Sequence, residues 1–184
     1  GERQSGKIVL HPGNGTGVFG DRYEYTFEAT GGRPLGIIAQ DLTGDGVPDV
    51  ALVDNYRDKL FILPYNRTTG SFSNFQEITT GHQPDQTAVT DIDRDGDYDL
   101  IVGCTNGAGV GSIQIFTNNG TGTFALDHEV AEIAWPNGLV VGDINNDGYD
   151  DVITSAVAID KLVYVLLNDG NGRISKSQTL LLAI

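Results

Sequence analysis

The strongest constraint on this chain is that it repeats itself. An acidic stretch of the form D-x-[DNT]-x-D-G-x-x-D opens at Asp41, Asp91 and Asp143, at spacings of 50 and 52 residues. A proline stands seven residues before each opening, at Pro34, Pro84 and Pro136. Farther on, a glycine, a variable residue and an apolar residue recur as Gly70-Ser71-Phe72, Gly122-Thr123-Phe124 and Gly172-Arg173-Ile174. The apolar member lies 31, 33 and 31 residues after the opening aspartate. Three landmarks held in register through three copies mark one structural unit used three times.

Each unit reads as four short strands. The first ends at the acidic stretch (Gly36-Ile37-Ile38-Ala39, Ala88-Val89, Leu139-Val140-Val141) and the second leaves it (Val50 to Val53, Leu100 to Val102, Val152-Ile153). The third is Leu60 to Leu63, Ile113 to Phe116 and Leu162 to Leu166, and a Gly/Asn turn leads to a more polar fourth, such as Phe75 to Ile78. β-Branched and aromatic residues between closely spaced turn signals favour strands over helices. The 25 glycines fit many tight turns. Four-stranded units repeated at about fifty residues are the blades of a β-propeller. The expected fold is therefore all-β, built of four-stranded antiparallel blades.

The first residues carry half of the same pattern. Lys7 to Leu10 matches a third strand, Asn14 to Phe19 the turn, and Tyr23 to Phe27 a fourth strand, and the last fourth strand lies around Thr179 to Ala183. The expected divisions are a partial blade at 1–31 and full blades at 32–81, 82–133 and 134–184. About three and a half blades fall short of the ~4–8 that close a ring. The expectation is an incomplete propeller, completed by further blades or by another copy of the chain, because unclosed sheet edges are normally covered.

Oxygen donors alternate along each acidic stretch, which is what a hard cation taking 6–8 oxygens requires. The candidate ligands are Asp41, Thr43, Asp45, the Val47 carbonyl and Asp49 in the first loop. They are Asp91, Asp93, Asp95, the Asp97 carbonyl and Asp99 in the second, and Asp143, Asn145, Asp147, the Tyr149 carbonyl and Asp151 in the third. Gly46, Gly96 and Gly148 at position 6 permit the turn that folds later ligands back over the ion. An EF-hand is excluded, because position 12 holds Leu52, Val102 and Thr154 in place of glutamate and the flanks are strands. Calcium fits this flexible, oxygen-rich loop better than magnesium, and the loops hold no Cys or His for zinc or copper. About three structural Ca²⁺ ions are expected, tightest in the second loop and weakest in the first.

Charge supports this reading. The formal net charge is -14 with 11 Lys and Arg, which argues against a nucleic-acid partner. Of the 25 acidic residues, 12 sit in the three loops, where a divalent cation offsets their repulsion. No apolar run reaches the ~18 residues of a spanning helix. The single cysteine, Cys104, reads as a small buried hydrophobe.

The loops, the I-I-A-Q-D and V-V-G-D-I segments before them, and the turns N-N-G-T-G-T-F and N-D-G-N-G-R-I resemble FG-GAP/VCBS repeats. These are the calcium-binding blades of integrin α-chain heads, certain fungal lectins and many secreted proteins. The Phe-Gly and Gly-Ala-Pro signature of integrin-type blades is absent, so the VCBS branch is the closer likeness. The resemblance implies an extracellular or cell-surface setting and calcium ligation by the loop residues just named.

Three N-x-[ST] sequons, at Asn14, Asn66 and Asn119, fall in the turns between third and fourth strands and are glycosylation candidates, although Asn-Gly is also a favourable hairpin turn. Trp135 precedes the third unit, and Tyr56, Tyr98 and Tyr149 lie in or near the acidic loops. They either stack on a sugar or pack between blades. His11, His82 and His128 occupy unrelated positions with no nucleophile motif beside them, so no catalytic residue is expected. The function read from sequence is a non-catalytic module for adhesion, assembly or recognition of a protein or glycan ligand. The alternatives are a carbohydrate-binding lectin, or the supporting propeller of a polysaccharide-active enzyme.

Overall fold

The computed structural model describes residues 5–30, 32–72, 76–156 and 162–181, with side chains from 7–25 and from 32 onward. Every regular element among them is a strand. Three sheets of four antiparallel strands follow one another along the chain, each in simple meander order. Blade 1 comprises Pro34–Gln40, Asp49–Asp54, Lys59–Leu63 and Gln76–Thr79. Blade 2 comprises Pro84–Thr90, Asp99–Thr105, Val110–Asn118 and Phe124–Ala134. Blade 3 comprises Pro136–Gly142, Asp151–Ala156, Leu162–Asn168 and Ile174–Leu181. Ahead of them, Ser5–Leu10 pairs with Tyr23–Thr30 as a two-stranded hairpin. Three residues assigned to fourth strands from sequence, Phe75, Leu182 and Ala183, lie outside the described residues.

Each first strand starts at its repeat proline, where a missing N–H costs no ladder bond. The first strands of consecutive blades lie side by side, so the sheets stack face to face as propeller blades do. Period-2 alternation then gives each blade two apolar faces. Ala51, Leu60 and Ile62 of blade 1 meet Leu100, Val102 and Phe116 of blade 2 in one buried cluster. Ile101, Ile113 and Ile115, on the other side of blade 2, meet Val152, Tyr164 and Leu166 of blade 3. The other face of blade 1, through Leu52, Phe61 and Leu63, packs against Ile8 and Tyr25 of the hairpin. The hydrophobic core is thus a series of seams, and each fully buried Leu or Ile contributes about 1.5–3 kcal/mol.

Blade 1 departs from the other two. Its third strand stops at Leu63 because Pro64 has no amide to continue the ladder. Pairing resumes as a separate two-residue ladder of Tyr65–Asn66 with Ser71–Phe72. In blades 2 and 3 the third strand runs unbroken to Asn118 and Asn168.

The antiparallel order also sorts the loops. The acidic loops and the Gly/Asn turns leave one end of every sheet, and the other connections leave the opposite end. Tyr56 lies in the turn between Asp49–Asp54 and Lys59–Leu63, so it stands on the face away from the acidic loops, and its sequence-based grouping with them is corrected.

Candidate metal centre

The three acidic loops share one backbone design. Position 6 is left-handed, at φ 80° for Gly46, 101° for Gly96 and 92° for Gly148, as the glycine there predicts. Position 4 is left-handed too, at φ 74° for Gly44, 60° for Arg94 and 61° for Asn146. That second reversal was not foreseen, because its residue type varies. The opening aspartate accepts the position-6 amide on Oδ2 in every loop: Gly46 to Asp41 at 2.8 Å, Gly96 to Asp91 at 3.1 Å and Gly148 to Asp143 at 2.8 Å. Asp45, Asp95 and Asp147 each accept the position-7 amide, at 2.8, 2.9 and 2.9 Å. No described donor reaches the carbonyls of Val47, Asp97 and Tyr149.

Position 9 closes each loop from inside the sheet. Asp49, Asp99 and Asp151 are fully buried. One oxygen accepts the position-2 amide, from Leu42 at 3.1 Å, Ile92 at 2.9 Å and Ile144 at 3.0 Å. The other accepts an amide at the exit of the third strand: from Tyr65, just past it, at 2.8 Å in blade 1, and from its last residue, Asn118 or Asn168, at 2.9 Å in blades 2 and 3. The same carboxylate therefore ties together the loop, the second strand and the exit of the third.

The second loop is the most developed candidate for an ion site. One ligand atom from each of Asp91, Asp93 and Asp99 lies within 4.8 Å of the others, and no other described carboxylate trio converges in this way. Asp91 Oδ1 is buried with no hydrogen-bond partner. Burial pushes the Asp99 carboxyl up to about 6, helped by Asp93 and Asp95 and opposed by the amides of Asn118 and Ile92. Burial raises Asp93 as well, and the neighbouring Asp95 and Asp91 add to it. An orphaned acceptor among mutually repelling carboxylates is a donor set that fits a cation. Asp95 is exposed and outside the trio, and Asp41, Asp45 and Asp49 do not converge to this degree, nor do Asp143, Asp147 and Asp151. Thr43 is half-buried and Asn145 exposed, with Asn145 donating to Asp147 at 2.7 Å.

Sequence reasoning missed the clamps between blades. Asn118 Nδ2 donates to Leu42 O in the first loop at 2.9 Å and to Tyr98 O in the second at 3.1 Å. Asn168 Nδ2 repeats this one blade on, to Ile92 O at 2.8 Å and Asp150 O at 3.1 Å. The signal was the first Asn of N-N-G-T-G-T-F and N-D-G-N-G-R-I, which from sequence alone looks like turn chemistry. His128 is a seam residue as well. Its Nε2 accepts the Ile174 amide at 3.0 Å, so the proton sits on Nδ1, which faces Asp127 at 2.6 Å.

Asn14, Asn66 and Asn119 are exposed. Asn14 and Asn119 accept the amide and hydroxyl of the sequon threonine on Oδ1, and Asn66 accepts the amides of Thr68 and Thr69. Asp169 makes the same turn in blade 3 without a sequon, accepting from Asn171 at 2.9 Å. Tyr149 is half-buried beneath the Arg94 guanidinium, 4.5 Å from its ring centroid, whereas Trp135 and Tyr98 are each 40% exposed. His82 pairs with Asp58 at 2.9 Å, and His11 is exposed just past the first strand of the hairpin. The buried Cys104 thiol is pushed up to about 12 by burial and is inert.

The sequence profile described as FG-GAP-like repeat matches residues 41–102 and 91–154, which together span more than half of the chain. Each match runs from one acidic loop into the second strand of the next blade. A search of curated proteins returns no match.

Proposed function

The chain belongs to the FG-GAP-like repeat family, and from that membership we propose that it is a calcium-stabilised β-propeller module that works outside the cell in adhesion, assembly or recognition, with no chemistry of its own. The single observation that supports the ion best is the second loop, where three carboxylates converge around the unpartnered Asp91 Oδ1. Asp91, Asp93, Asp95, Asp99 and the Asp97 carbonyl hold calcium there, and the corresponding residues of loops one and three hold it more weakly. The ion cancels repulsion at a corner already braced by the position-9 aspartate, so its role is structural. Partly exposed loops suit the millimolar calcium outside cells. No helix among the described residues is long and apolar enough to cross a membrane.

Calorimetric titration of the chelator-stripped protein tests this. Calcium should bind at about three sites, with Asp91→Ala abolishing the tightest while magnesium competes poorly. Absence of calcium binding at millimolar concentration overturns the proposal.

A second reading, carbohydrate recognition, draws on the face opposite the loops. Trp135 and Tyr56 are exposed there, and a cleft of about 290 Å³ lined by residues that include Ser112, Glu129 and Glu132 opens in blade 2. A glycan array that loses its signal with Trp135→Ala would support it. The exposed sequons at Asn14, Asn66 and Asn119 are open to glycosylation, and a mass shift on glycosidase treatment of secreted protein would establish it.

A further inference from the structure

At the end of the sheets away from the acidic loops, blade 2 runs farther than blade 1. Counted from Asp49 and Asp99, strand register equates Lys59 with Ser112 and Thr79 with Ala131. The outer ladder of blade 1 stops at its pair, whereas that of blade 2 continues to Val110 opposite Ala134. A cleft of about 290 Å³ opens at this step, walled by blade 2 and by the Gly81-His82 connection from blade 1.

Three features mark the cleft as a built site. Ser112 lines it and is only 7% exposed, yet its hydroxyl has no partner among the described residues. Such a group is costly to bury unless something bonds to it. Gln114, also buried, accepts the Gly81 amide at 2.8 Å and donates to Glu129 Oε2 at 3.1 Å, which fixes Glu129 and leaves Oε1 open. Glu132 is the extra residue of a bulge, since Gly111 pairs with Ile133 and Ser112 with Ala131, and its φ is 59°. Alternation would send Ala131 and Glu132 to opposite faces; the bulge brings both into the lining.

The chemistry of the lining selects its occupant. It holds two carboxylates, no lysine or arginine, and an apolar wall of Val110, Ala131 and Cys104. Among the described residues only the loop-two aspartates converge as metal ligands do, so an extended organic cation fits Glu129 and Glu132 better than a metal ion. No Phe, Tyr or Trp among the described lining residues offers a sugar a ring to stack on. We propose that this cleft receives one lysine side chain of a protein partner. Its methylenes lie against Val110 and Ala131, and its ammonium donates to Glu129 Oε1 and the Ser112 hydroxyl. With Oε2 held by Gln114, Glu129 offers one free oxygen, which suits a compact ammonium better than a guanidinium fork. The net charge of -14 draws a basic partner toward the chain. This occupant presupposes the recognition module proposed above, names the chemistry it recognises, and requires no bound ion.

The test titrates Nα-acetyl-lysine N-methylamide into the full chain and follows the backbone amides by NMR, with the norleucine analogue as uncharged control. Saturable shifts should gather at Gly81, Gly111 and Ser112 with millimolar affinity, and the norleucine analogue should bind about tenfold more weakly or worse. Glu129→Gln can keep the bond to Gln114 and should weaken lysine about tenfold or more, and Ser112→Ala should weaken it severalfold. Glu24→Gln removes the same charge from the hairpin and should change nothing. Equal losses in Glu129→Gln and Glu24→Gln, or no saturable shift with lysine, overturn the proposal. So does a stronger response to the arginine analogue or to a neutral monosaccharide, the latter favouring carbohydrate recognition. Calcium titration of the same samples reports on the module separately, so failure at the cleft is told apart from failure of the calcium-stabilised fold.

Discussion

A single buried carboxylate does most to define each loop. Asp99 has no exposed surface, and both its oxygens accept backbone amides. Asp99→Ala should cost about 3 kcal/mol or more, because two charge-assisted bonds vanish and two buried amides are left unpaired; urea unfolding measures it. Asp95 is exposed, so Asp95→Ala in chelator should stay within about 0.5 kcal/mol of the parent and show its loss only when calcium is added. The pH dependence carries the same signature. Burial lifts Asp99 from 3.8 to about 6 in the fold, so in this window the folded state holds more protons than the unfolded one. Stability in chelator should therefore fall as pH rises from about 4 to about 6, and Asp99→Asn should flatten that slope.

At the scale of elements, turns in one blade shape the loops of its neighbour. A Cβ at Gly172 would lie 2.7 Å from Asp93 Cβ and 3.2 Å from Asp93 Cα, at a φ of +80° that side chains rarely adopt. Gly172→Ala, in blade 3, should thus weaken calcium binding in loop two and lower stability, which titration and melting of the one variant would both detect. Asn118→Ala leaves the carbonyls of Leu42 and Tyr98 without their shared donor and should cost about 2 kcal/mol. The Asn118 clamp was invisible in sequence because a residue's partner across 76 positions leaves no local pattern. The strands themselves were legible, since their apolar alternation and turn glycines are local.

For the whole molecule, seams and loops are one system. Each full seam joins two loops through one asparagine, so the proposed calcium would bear on two blades at once. A ligand at a hundredfold its Kd adds about 2.7 kcal/mol per site. Chelation should therefore lower Tm by several degrees, at about 2–4 °C per kcal/mol for a chain of this size, in a single transition by calorimetry. An unchanged Tm would remove calcium from the account.

Repetition, turn chemistry and charge spacing determined the blades, their order and the identity of the acidic loops, because each is written in neighbours along the chain. The tertiary structure alone decided which carboxylates converge, that Asp49, Asp99 and Asp151 are sealed inside, and that a cleft opens where blade 2 runs past blade 1. Those outcomes depend on how one sheet lies against the next, and a repeat that is nearly identical in sequence becomes distinct only through what packs beside it.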